Sequence, residues 1–395
     1  MITLRILIIN TDYPAFLKQH YKTHAGLAEA SFDYQTELRN ASFFGVFDAY
    51  SRGFKANGHE AREVHANNGF LQRRYMIEKG SPTLRFSLPP SIEFLTWRIA
   101  KRILPQLSNG RRVPKTPFQI SPWQLADILL IQVKDYKPDV ILNQSVSEVG
   151  SDLLIQMKPY TKLFVGQIAS PLPEGEDYHA YDLMISSLPN LVDHYRKLGI
   201  PAELNRLGFD RRVLDAVKVS TRDIDVSFVG SLSPAHPSRA RLVEWLAGQT
   251  KLDIWGNGLD KFPASSPVHR HYHGEAWGTD MFTALARSKI TVNNHIGIAE
   301  NFANNMRLYE ATGMGCLLLS DLKSNITDMF EPGREILCYS SPEECLDLIR
   351  YYSKNASERE RIAEAGQRRT LTEHSYLNRT AESVKLFRRY MAATS

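Results

Sequence analysis

Residues 300–321 read ENFANNMRLYEATGMGCLLLSD, and the pattern passes from helix to buried strand in one step. Asn304 and Asn305 are of the type that caps a helix N-terminus, accepting a backbone N–H that the first turn leaves unpaired. Arg307 and Glu310 stand three apart and so share a helical face. Gly313 and Gly315 end the helix, and CLLLSD is the continuous apolar run of a strand buried on both faces. A helix feeding such a strand is half of a βαβ unit, so this stretch predicts a parallel sheet.

The same alternation extends outward. Upstream, DVSFVGS, LDIWGNG, HRHYHG and KITVNNH each read as a strand entering a turn, and EILCYS follows downstream. Ser341-Pro342-Glu343-Glu344 has the form of a capping box with proline at the first helical position. Residues 357–391 read as helical and strongly charged. In the first half, LRILIIN, HEAREV, DVILN, KLFVGQI and DLMISS are strand candidates. Helical patterns between them include PWQLADILLIQVKDY, LPNLVDHYRKLG and one long amphipathic stretch from Thr36 to Lys55 that stops at Asn57-Gly58. At 395 residues the chain suits two domains. The expected fold is α/β, with two Rossmann-like doubly wound domains facing a central cleft. Residues 1–210 form the first, with a basic insertion at about 71–122. A linker at 211–223 leads to the second at 224–375, and a terminal helix occupies 376–395.

An apolar fraction of 43% and a charged fraction of 23% fit a globular protein and exclude long disordered stretches. No run approaches the roughly 18–20 apolar residues of a membrane span, and MITLRILIIN reads as a buried first strand rather than a leader. Cys316, Cys338 and Cys345 show neither paired nor metal-ligand spacing, which points to reduced thiols and a cytoplasmic location.

Open parallel sheets bind ligands beyond the carboxyl ends of their strands, where turns and helix N-termini expose N–H groups to anions. Four segments of the second half fit that geometry. FVGSLSPAHPSR offers Gly230 for close backbone approach, the Ser231 hydroxyl, and Arg239 near the start of the next helix. LDIWGNG, with Gly256 and Asn257, and YHG, with Tyr272, His273 and Gly274, could cup a flat base, with Trp255 as a further wall. Around Asn304 and Asn305, the Arg307 guanidinium suits a diphosphate, and the Glu310 carboxylate suits both ribose hydroxyls. Ordinary turn chemistry, core aromatics and an exposed Arg–Glu pair worth little are the competing readings of these segments taken singly.

Residues 224–379 resemble the C-terminal domain of GT-B-fold glycosyltransferases, specifically the group similar to the spore maturation protein CgeB. The cues run in order: DVSFVGS, a helix with Arg239, IWGNG, YHG, ITVNNH, NMRLYEATGMGCLLLSD, FEPGREILCYSSPEE and AEAGQRRTLTEHSYLNR. The first half matches through KPDVILN, AYDLMISS and LGFD. The resemblance implies a nucleotide-sugar substrate, with Glu310 at the ribose, Gly230 and Ser231 at the diphosphate, and Tyr272, His273 and Gly274 at the base. It also implies a last helix that returns to the N-terminal domain. Retaining members of this fold often carry two glutamates with seven residues between them. Here Phe302 stands eight before Glu310 and the nearest glutamate is Glu300, so the first of the two is not matched.

Glycosyl transfer would then need charge stabilisation on the departing phosphates, which helix N-termini with Arg239 and Arg307 supply without a cofactor or metal. Asp223-Ile-Asp225 sits at the entry end of a strand and reads as surface charge. General-base candidates are His20 and His24, in a loop after the first strand, and His295 after ITVN could face the sugar. A nucleotide-sugar epimerase and a non-catalytic nucleotide-sugar or glycan-binding protein share the same nucleotide site and are the rival readings. The basic stretch with Arg111, Arg112 and Lys115 lies on the acceptor side. It admits an anionic acceptor or peripheral contact at the inner face of a membrane, against a plain solvated face. No nucleic-acid motif accompanies the charge, so nucleic acid is not an expected partner.

Overall fold

The computed structural model describes residues 2–80, 122–232 and 237–394. The chain divides into two compact units, each with its own parallel sheet. The first unit takes the described residues up to Ser186, then Leu191–Asn205, then the chain from Thr380 onward. Its strands are β1 (Arg5–Asn10), β2 (Glu60–His65), β3 (Val140–Asn143), β4 (Leu163–Gln167), β5 (Leu183–Ser186) and β6 (Ala202–Leu204), in the order β2-β1-β3-β4-β5-β6. Ile6, Leu7, Ile8 and Ile9 are all fully buried, which only a strand covered on both faces requires. In register, Ile6 pairs Ala61 on one side and Val140 on the other. β1 thus has its successors on opposite sides, and the carboxyl ends of β1 and β3 border a topological switch point.

Two sequence expectations change in this unit. The amphipathic stretch from Thr36 to Lys55 is two helices, Phe32–Ala41 and Ala49–Ala56. Phe43, Gly45 and Phe47 between them all take positive φ, which a continuous helix cannot hold. The loop expected to carry His20 and His24 is the helix Pro14–Thr23, begun by proline at its first turn. AELNRL contributes a short strand, β6, beside β5.

The second unit comprises Ser187–Asn190 and Arg206–Arg379. Its strands are β7 (Ile224–Val229), β8 (Asp253–Trp255), β9 (Ser288–Asn293), β10 (Leu317–Asp321) and β11 (Leu337–Tyr339), ordered β11-β10-β9-β7-β8. One face packs the helices Pro237–Gln249 and Pro342–Lys354 through Leu242, Val243, Leu246, Cys345, Leu346 and Ile349. β7 lies between β8 and β9, so the switch point of this unit falls between the ends of β7 and β9. HRHYHG is not a strand: Pro267–His271 is a 3-10 turn, and Tyr272 makes only an isolated bridge to Ile254. The charged tail is two helices, Ala356–Glu373 and Tyr376–Thr394.

Residues 211–223 lie within the second unit and include a short helix, Arg212–Ala216. Arg222 donates to the carbonyls of Ala286, Ser288 and Met314 at 2.7–2.9 Å, tying the ends of two helices to the sheet. No helix of the described residues is long and apolar enough to cross a membrane.

Candidate functional site

Three turns meet at the carboxyl edge of the second sheet. Gly230 N–H donates to Trp255 O at 2.9 Å, Leu232 N–H to Asn257 O at 2.9 Å, and Gly256 N–H to Gly274 O at 2.9 Å. Gly256 holds φ at +148°, and a Cβ there would lie 1.8 Å from the Gly230 carbonyl oxygen, so the contact needs glycine. Gly274 holds φ at +89°. Beside these turns Trp255 and His273 stack with ring centroids 4.4 Å apart. His273 Nε2 lies 2.6 Å from Asp253 Oδ1, and the Tyr272 hydroxyl donates to Gly256 O. Trp255, Tyr272 and His273 thus gather at one edge, with the Tyr272 hydroxyl and the His273 imidazole held by polar partners.

The helix Met306–Gly313 begins at the same edge. Asn305 is its N-cap, accepting from Leu308 N–H at 3.3 Å and donating to Asn293 Oδ1 at 2.7 Å. Asn293 ends β9 and in turn donates to Ser320 Oγ on β10, so an amide relay fixes the helix start against two strands. Asn304 is buried and donates to the Ser187 hydroxyl. Arg307 donates from Nε to Val229 O at 3.0 Å, and its Nη1 lies 2.9 Å from Glu310 Oε2. Their side chains are only 13% and 8% exposed, so this is no solvated surface pair. Burial raises the Glu310 pKa above the ordinary carboxylate value, and the Arg307 charge opposes that shift.

Arg239 departs from its expected role as a free cation for phosphate. Its Nε and Nη2 donate to Asn294 O at 3.1 and 2.6 Å, and its Nη1 donates to Ser231 O at 3.2 Å. The guanidinium is buried and clamps the loop after β7 to the loop after β9. Burial lowers its pKa to about 10, so it stays charged at neutral pH. Its charge still raises the potential at the switch point. His295 is buried beyond β9, and its Nδ1 lies 2.6 Å from Asp321 Oδ1 at the end of β10.

Residues 239–385 match a family model described as Glycosyl transferase-like. No curated protein matches the chain. A glycosyltransferase from Rickettsia africae ESF-5 aligns over 99% of this chain and 99% of its own, at 10% identity and a TM-score of 0.58. Sucrose-phosphate synthase from Thermosynechococcus elongatus aligns over 99% and 100%, at 11% identity and 0.55. Anabaena HepE, solved in complex with UDP-glucose, aligns over 97% and 100%, at 11% identity and 0.53. The chain carries a glycosyltransferase domain in a GT-B fold.

Within the glycosyltransferase domain lie Arg239, Gly256, Asn257, Tyr272, His273, Gly274, Asn304, Asn305, Arg307 and Glu310, and Gly230 and Ser231 just precede the matched stretch. Asp223 and Asp225 pair with Arg287 and Lys289 at the opposite, entry end of the strands. Among the described residues no three His, Cys, Asp or Glu side chains converge to hold a metal ion. Arg111, Arg112 and Lys115 lie outside the described residues, as do Ser233 and most of the basic insertion.

The first unit carries a polar cluster that the sequence reading did not find. Asp12, just past β1, pairs with Arg39 of the second helix, and His65 Nδ1 at the end of β2 lies 3.3 Å from its other oxygen. Burial favours the neutral form of Asp12, but Arg39 and His65 outweigh it and hold its pKa well below the ordinary range. His20 is buried against this group. Its pKa falls to about 4, from burial first and then from His24 and Arg39. His24 closes the helix, with Nδ1 2.9 Å from His20 O. Arg39 stands 27 residues from Asp12 and His65 lies on the neighbouring strand, so no local periodicity relates the three. The signal available was polar residues at several strand ends: Asp12, His65, Asn67 and Asn143 all stand at or just past one.

Proposed function

We propose that this protein transfers a sugar from a nucleoside-diphosphate-sugar to an acceptor, as a member of the CgeB-like group of GT-B glycosyltransferases, without a divalent metal. The observation that carries the reading is the buried Arg307–Glu310 pair at the switch point, its guanidinium already anchored to the end of β7. The base would rest against Trp255, Tyr272 and His273. The ribose hydroxyls would donate to Glu310, and the diphosphate would lie between the Gly230 turn and the start of Met306–Gly313. When the bond from the anomeric carbon to the β-phosphate oxygen breaks, negative charge grows on the leaving diphosphate. The oriented N–H groups and the two arginines stabilise it there without reorganising. A uridine nucleotide is the first donor to try, because HepE, a protein of the same fold, holds UDP-glucose. On the acceptor side, the basic stretch with Arg111, Arg112 and Lys115 suits an anionic acceptor.

The test is a thermal-shift panel of UDP-, GDP-, dTDP- and CMP-sugars, followed by transfer assays with the sugar that stabilises the protein. A ligand at 100 times its Kd stabilises the native state by about 2.7 kcal/mol, a shift easily read. No stabilisation by any of the four would overturn the proposal. Epimerised donor formed without acceptor would replace transfer with epimerisation.

A further inference from the structure

The strand order β11-β10-β9-β7-β8 sets a direction along the carboxyl edge of the second sheet. With the base at the end of β8 and the diphosphate at the β7/β9 switch point, the donor's sugar falls beyond β9 and β10. A cleft of about 680 Å³ opens there, with Ser238, Asn294, Asn301, Asp321, Lys323 and Ser340 in its lining. Two of its walls continue the phosphate site. Arg239 donates to both Ser231 O and Asn294 O, which ties Asn294 to the turn after Gly230. Asn301 belongs to the loop that runs into Asn305, the cap of Met306–Gly313.

That loop is held in one shape before any ligand binds. Asn301 O accepts from the Ser324 N–H at 2.9 Å and from its hydroxyl at 2.8 Å, and Asn325 Oδ1 accepts from Ala303 N–H at 2.6 Å. Lys323 Nζ donates to Glu300 O at 2.8 Å. Glu300 holds φ at +50°, a conformation that a side-chain-bearing residue keeps only where its surroundings impose it.

The polar lining is made of hydroxyls and amides around one pair of charges, Asp321 and Lys323, whose side chains are 15% and 16% exposed. Asp321 Oδ1 is engaged by His295, through its backbone N–H at 3.1 Å and its Nδ1 at 2.6 Å. Oδ2 faces Lys323 Nζ at 3.4 Å, beyond ordinary hydrogen-bond length, and keeps its capacity to accept. Burial pushes the Asp321 pKa up, but His295 and Lys323 more than offset it, and the group stays ionised. Of the three N–H bonds of the ammonium, Glu300 O uses one, so Lys323 can also donate into the cleft. An acceptor beside a donor matches two neighbouring hydroxyls, one giving a proton and one receiving it. The opposite charges balance, which suits an uncharged ligand.

We infer that Asp321 Oδ2 and Lys323 Nζ grip two neighbouring hydroxyls of an uncharged sugar carried by the donor, in the cleft beyond β9 and β10. This rests on the nucleotide-sugar reading above.

Calorimetry with three ligand pairs tests it: UDP and UDP-glucose, GDP and GDP-mannose, dTDP and dTDP-glucose. For the pair that binds, Asp321→Asn should weaken the nucleotide-sugar about tenfold, the loss of one charge-assisted bond, and leave the free nucleotide unchanged. Lys323→Met keeps the stem without the ammonium and should weaken the sugar form in the same selective way. Should Asp321→Asn fold poorly, because the carboxylate also holds His295, Lys323→Met decides. If the two residues only shape the loop before Met306–Gly313, both members of the pair lose affinity equally, and that result overturns the inference. Unchanged affinity of the sugar form overturns it as well. Wild type that binds none of the six ligands overturns the donor reading instead.

Discussion

The α-carbon of Gly256 faces the carbonyl of Gly230 so closely that a Cβ would come within 1.8 Å of its oxygen. Two strand-end turns thus touch backbone to backbone, with no side chain between them. Gly256→Ala must push the turns apart or leave φ near +148°, a strain of roughly 1–3 kcal/mol before any clash. The variant should lose at least that much stability in urea, together with most of its nucleotide affinity. Gly297→Ala is the control, since nothing lies within 4 Å of its Cβ and its φ is ordinary. It should stay within about 0.5 kcal/mol of wild type. A Gly256→Ala protein as stable as the control would show that the turns are free to separate.

Acid lability should arise in part from His20 of the first unit, alongside His374 of the second, whose pKa burial likewise pushes down to about 4. His20 is neutral when folded, with its pKa pushed down to about 4 from an ordinary 6.5. Between these values the unfolded chain binds the extra proton, so stability is lost as pH falls from about 6.5 toward 4. The loss from this one group is up to roughly 3 kcal/mol. His20→Asn removes the proton uptake and should flatten that part of the curve. Urea midpoints measured at pH 7 and 4.5 read it directly, and an equally steep fall in the variant would assign the lability elsewhere.

The second sheet was legible, HRHYHG apart, because β10 opens on an apolar run and the turns after β7 and β8 carry glycine. The cap at Asn305 and the pairing of Arg307 with Glu310 were legible because both are local, at spacings of three. What escaped were relations across distance. Arg239 looked like a phosphate cation, but the loops after β7 and β9 offer it carbonyls that their own turns leave unpaired. Arg222 falls in the stretch read as a linker, yet it holds the carbonyls of Ala286, Ser288 and Met314. The Asp12–Arg39–His65 cluster exists only once β1 and β2 are side by side. The break between Ala41 and Ala49 was hidden by a hydrophobic pattern that continues across it, since aromatic residues at positive φ keep the helical spacing.

The proposed metal independence rests on the charge available at the switch point. Arg239 and Arg307 sit at the ends of β7 and β9 with the start of one helix, and all are held in place before ligand arrives. Transfer should therefore proceed at its full rate in excess EDTA. Activity abolished by EDTA and restored by magnesium or manganese would require a cation that these groups do not replace.

Glu310 gives the sharpest test of the nucleotide site. Its carboxylate is buried beside Arg307, so deletion to alanine would strand a buried guanidinium and mix folding with binding. Glu310→Gln keeps the shape and one acceptor oxygen, but replaces charge-assisted ribose bonds with a weaker one. Hydrogen bonds to charged groups contribute about 1.5–3 kcal/mol each, so nucleotide affinity should fall at least tenfold. The raised carboxyl pKa adds a direction: affinity should climb with pH as Glu310 ionises, and the glutamine variant should not share that climb. A 2′-deoxynucleotide separates this from general damage. If Glu310 holds the ribose, the deoxy ligand binds wild type more weakly than the ribose form, whereas the variant hardly distinguishes the two. The same discrimination in both proteins, measured by calorimetry, would remove Glu310 from the ribose.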